Sequence, residues 1–98
     1  MFHTKDSDKA IKRFVECGGG MAVSACGTYI VASTEDLADM GFGPAYQSSV
    51  IALSQATKNW SLDAINDELG AACHYSQHTD IAEAREALVA MLMEFWVE

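Results

Sequence analysis

Read for the alternation of apolar and polar positions, the chain divides into short, separately punctuated segments. Ser7 precedes a run in which Ile11, Phe14 and Val15 fall on one side, which predicts a helix over 8–17, closed by Gly18, Gly19 and Gly20. Small and β-branched residues over 21–32 divide at Cys26 and Gly27, the pattern of a β-hairpin with a two-residue connection. Ser33 and Thr34 before Glu35 and Asp36 read as a helix start, and Gly41 as its stop. Gly43 and Pro44 then open a longer helix, with proline at the first helical position and Tyr46, Val50, Leu53 and Trp60 as its apolar stripe, ending near Asn59.

Ser61 caps the next segment, where Leu62, Ile65, Leu69 and Ala72 share a face. The stretch 75–78 has no period and reads as a loop, after which Thr79 caps a last helix with Asp80 and Glu83 in its first turn. From Leu88 through Val97 only Glu94 is charged. A helix apolar on nearly every side is either enclosed by its own domain or covered by another molecule, and the pattern leaves both open. The sum is a mostly helical α+β fold, an N-terminal helix and β-hairpin followed by about four helices, in a single domain over 1–98.

Charge sharpens this picture. The formal net charge is −8, and four of the six basic residues are Lys5, Lys9, Lys12 and Arg13. From Ser33 onward eleven carboxylates face only Lys58 and Arg85, a surface that repels phosphate backbones. Direct nucleic-acid binding is therefore not expected; the last helix, in the place of a recognition helix, carries only Arg85 among its cations. No apolar run approaches a membrane span, and no secretory leader is legible at the start. Three cysteines, Cys17, Cys26 and Cys73, cannot all pair within one chain, so a reducing cytoplasm is the expected location.

Candidate chemistry is sparse. Cys73, His74 and His78 include the ligand types zinc takes, with Cys17 or Cys26 available as a fourth, so a metal-binding or redox domain is one alternative. Zinc sequences usually show two close cysteine pairs, and none stands here, so the expected metal and cofactor complement is none. A cysteine nucleophile at Cys17 or Cys26 would need a base from a distant histidine, which spacing does not supply. The glycine triplet follows a helix and precedes a strand, the reverse of a phosphate cradle. Glu83 and Glu86 at helical spacing read as a solvated face.

Two features remain. Met91, Met93, Phe95 and Trp96 are residue types that dominate binding hot spots, and they mark a candidate homodimer interface on the last helix, or else the end of the core. Glu35, Asp36, Asp39, Asp63, Asp67 and Glu68 form a candidate contact surface for a basic partner, such as a nucleic-acid-binding protein or complex. The expected function is that of a non-enzymatic protein-binding domain, of the type of phage and mobile-element inhibitors such as anti-CRISPR proteins. That expectation is an analogy of size and charge, with no shared motif. A small structural subunit of a larger complex has the same profile.

Overall fold

Asp6, not Ser7, starts the first helix. In the computed structural model, which describes residues 1–71 and 77–95, its side-chain Oδ1 accepts the backbone N–H groups of Asp8 (3.0 Å) and Lys9 (3.3 Å). The helix, α1, spans Ser7–Cys17 and buries Ala10, Ile11 and Phe14, the stripe its spacing predicts. Before it lies a strand the sequence did not announce, β1 at Phe2–Thr4, too short to show a period.

The hairpin forms as expected from β2 (Gly20–Val23) and β3 (Tyr29–Ala32), but its connection is longer. The Ser24 N–H still donates to the Thr28 carbonyl (2.9 Å), so residues 25–27 make the turn. Gly27 closes it at φ +85°, the positive-φ position of a three-residue loop. β3 is the central strand, with β1 and β2 antiparallel on either side. Gly19 fixes how closely this sheet meets α1: at φ +81°, an added Cβ would lie 2.7 Å from the Ala32 carbonyl oxygen. Only glycine fits there.

Both faces of the sheet are covered. Phe2, Met21 and Val31 share one face and join the main core with Phe14 of α1, while Ala22, Ile30 and Ala32 on the other meet Leu37 and Phe42. Leu37 belongs to α2 (Thr34–Asp39), whose cap is Ser33 as predicted, with Oγ accepting the Asp36 N–H at 3.1 Å.

The longer helix, α3, spans Ala45–Thr57, with Pro44 one position earlier than expected, at the cap. Its buried face also differs. Ser49, Ala52, Leu53, Ala56 and Thr57 are buried, whereas Val50 is half-buried and Tyr46 is 53% exposed. Small residues let α3 lie close against β2, and the Ser49 hydroxyl accepts the edge N–H of Met21 at 2.9 Å. Trp60 falls beyond the helix in a turn, its N–H donating to the Thr57 carbonyl, and packs half-buried on the core.

Ser61 caps α4 (Leu62–Ala71), which buries Ile65 and Leu69 as predicted; Ala72 lies outside the described residues. The last helix, α5 (Ile81–Leu92), is capped by Asp80 and not Thr79, because the Asp80 carboxylate accepts the Ala82 N–H at 2.9 Å. It packs on α3 and α4, buries Ala84, Leu88, Val89, Met91 and Leu92, and runs into a short 3-10 turn at Met93–Phe95. The architecture is thus a small α+β fold, helix and hairpin followed by four helices, with a third strand added at the front. Among the described residues no helix is long and apolar enough to cross a membrane.

Candidate functional site

The six carboxylates singled out above are all exposed: Glu35, Asp36 and Asp39 on α2, and Asp63, Asp67 and Glu68 on α4. They form two groups, not one face. α2 packs mainly on β2 and α3, α4 packs mainly on α5, and the α3–α5 contact stands between them.

Of the surface between, the α5 part carries Glu83, Arg85 and Glu86, and the α3 part is uncharged. No charged residue occurs between Asp39 and Lys58, so the whole of α3 is neutral. Its solvent side carries Gln47, Ile51 and Gln55, with Ile51 57% exposed. An ordinary surface helix places charge opposite its core stripe; α3 has apolar side chains on both sides. Beside it runs a groove of about 510 Å³ between α3 and α5, floored by Val50, Val89, Ala90 and Met93. Of its nine lining residues, only Arg85 and Glu86 are charged. The Arg85 Nη2 donates to the Lys58 carbonyl at 2.9 Å, which ties the first half of α5 to the C-terminal end of α3. A second groove of about 520 Å³ joins Ile11, Val15, Trp60 and Leu92, but it is rimmed by Asp8, Lys12, Glu16 and Glu68.

The candidate dimer residues separate. Met91 is 4% exposed within the chain's own core, so it has no surface to offer a second molecule. The apolar run at the end of the chain is, over α5, largely enclosed by its own domain. Met93 is half-buried on the edge of the α3–α5 groove, while the side chain of Phe95 and all of Trp96 lie outside the described residues.

The metal candidates are only partly placed. Cys73 and His74 lie outside the described residues. His78 is held by its backbone, its N–H donating to Asn66 Oδ1 (3.2 Å) and its carbonyl accepting from Asn66 Nδ2 (3.1 Å). Among the described residues no group of three or more His, Cys, Asp or Glu side chains is placed to hold a metal ion.

Cys17 and Cys26 are free and exposed. At the hairpin tip the Cys26 sulfur lies 3.0 Å from the Ser24 hydroxyl and 3.4 Å from that of Thr28. Hydroxyls donating to sulfur stabilise the thiolate, Ser24 most, and bring the Cys26 pKa from 9.0 to about 7. In the sequence Cys26 reads as a turn residue, a candidate fourth zinc ligand and a nucleophile lacking a base; the signal for its acidity was the spacing of Ser24, Cys26 and Thr28, whose polar side chains meet at the tip.

Comparison with known proteins adds no name to these surfaces: no family model, no curated protein and no solved structure matches the chain.

Proposed function

We propose that this chain is a protein-binding domain that acts by covering a basic surface on a partner protein, in the manner of small inhibitors that occlude a nucleic-acid-binding site. The observation that carries this reading is the exposure of all six carboxylates on α2 and α4, at either side of an uncharged helix. Exposed charges steer encounter and select partners of opposite sign. A covalent step is not part of the proposal. The protein works by occupying space.

The test compares retention of host proteins on immobilised wild-type chain with retention on two charge-reversed forms, Glu35→Lys/Asp36→Lys/Asp39→Lys and Asp63→Lys/Asp67→Lys/Glu68→Lys. A specific partner should be held at low salt, released as salt is raised, and lost from at least one reversed form. Partners held equally by all three proteins at every salt concentration would dismiss the electrostatic reading.

A further inference from the structure

An exposed helix face with apolar side chains and no charge is stable when something covers it, and the charges at its border say what fits. On α3 the exposed large apolar residues are Tyr46, which with half-buried Val50 lines the α3–α5 groove, and Ile51 on the adjoining solvent side, which also lines a hollow with Val23 and Phe42. That border holds one cation and one anion, Arg85 and Glu86, adjacent on α5. We infer that this face is the contact between two copies of the chain, paired about a twofold axis so that Arg85 of each copy meets Glu86 of the other.

Self-complementarity is the reason for choosing a second copy over a basic partner. A twofold contact joins a patch to itself, so every charge in it must find its opposite within the same patch. The α3–α5 groove satisfies that condition with one residue of each sign. The α2 and α4 surfaces do not, since each would oppose its own carboxylates. For a chain of net charge −8, the uncharged stretch 40–57 is where two copies approach with the least repulsion. A basic partner, by contrast, is drawn to the carboxylates and finds none on α3.

A stable contact covers about 800 Å² on each partner, to be set against 5715 Å² for the whole chain. Thirteen residues make α3 about 20 Å long, and two α3–α5 pairs facing each other form a four-helix layer. Pairing through α3 also leaves Glu35, Asp36 and Asp39, with Asp63, Asp67 and Glu68, on the outer elements of both copies. The inference does not depend on the proposed function, and a dimer without any basic partner would leave it standing.

The experiment is sedimentation velocity on the full chain across a wide concentration range. The wild type should move from monomer to dimer mass as concentration rises. Ile51→Asp, at a position 57% exposed, should weaken association at least tenfold with an unchanged circular dichroism spectrum. Arg85→Glu and Glu86→Arg should each be monomeric alone and form a dimer when mixed in equal amounts, because the acidic pair then meets the basic pair. Should Arg85→Glu fail to fold for want of its bond to Lys58, Ala90→Glu, at an exposed position on the groove, together with Ile51→Asp still decides the matter. A wild type that stays monomeric at every concentration overturns the inference, leaving the face to a different protein or to the chain's own C-terminal residues. A dimer indifferent to Ile51→Asp and Ala90→Glu overturns it equally.

Discussion

Two hydroxyl groups set the chemistry of the hairpin tip. With Ser24 and Thr28 donating to its sulfur, Cys26 ionises near pH 7, so about half of it is thiolate where an ordinary thiol is almost wholly protonated. The sign follows from which form is favoured. A folded-state pKa below that of the unfolded chain gives a stabilising contribution present above the ordinary value of 9.0 and lost as pH falls through about 7. In a protein with Cys17→Ser and Cys73→Ser, the rate of iodoacetamide modification should rise with a midpoint near pH 7. Adding Ser24→Ala and Thr28→Ala should move that midpoint upward toward 9.0. A midpoint that ignores both hydroxyls would show that they do not set the ionisation. At this scale the sequence named the right cysteine as a turn residue but looked to histidines for its activation, because hydroxyls two positions away carry no catalytic signature.

Elements were legible where polar caps and large apolar residues agreed. α1, α2, α4 and the hairpin follow the spacing of Phe14, the cap at Ser33, the cap at Ser61 and the break at Cys26 and Gly27. α3 was legible in extent but not in orientation. Tyr46, Val50 and Trp60 drew the eye as a core stripe, yet the side turned inward is built of Ser49, Ala52, Ala56 and Thr57 around Leu53. Close packing on β2 selects for small size, which a reading by bulk passes over. The same packing gives the edge strand its missing acceptor. Ser49→Ala leaves the Met21 N–H buried without a partner, and should lower stability by about 1–3 kcal/mol. The expected signature is a lower denaturant midpoint with an unchanged slope; an unaltered midpoint would mean the hydroxyl is dispensable.

For the molecule as a whole, charge was the most legible property and its arrangement the least. Composition showed the acidity, but only the fold shows that α3 and α5 part the carboxylates into two groups. The proposed docking and the inferred dimer should then respond to salt in opposite directions. Docking on a basic partner should weaken as salt rises, since it is driven by attraction between unlike surfaces. Dimerisation should strengthen over the same range, since screening relieves the mutual repulsion of two chains of net charge −8, which outweighs two exposed ion pairs. Light scattering across a salt series checks the second; a dimer that dissociates as salt rises would show that ion pairs dominate. The bond from Arg85 to the Lys58 carbonyl carries a last implication, because it joins residues 27 positions apart. The final turn of α3 borrows its terminal acceptor's partner from α5, so the bond ties Lys58 to Arg85 across the intervening chain. Any shortened form that stops between those two residues would abandon α3 with a loose end, and fragments cut there are poor stand-ins for the intact chain.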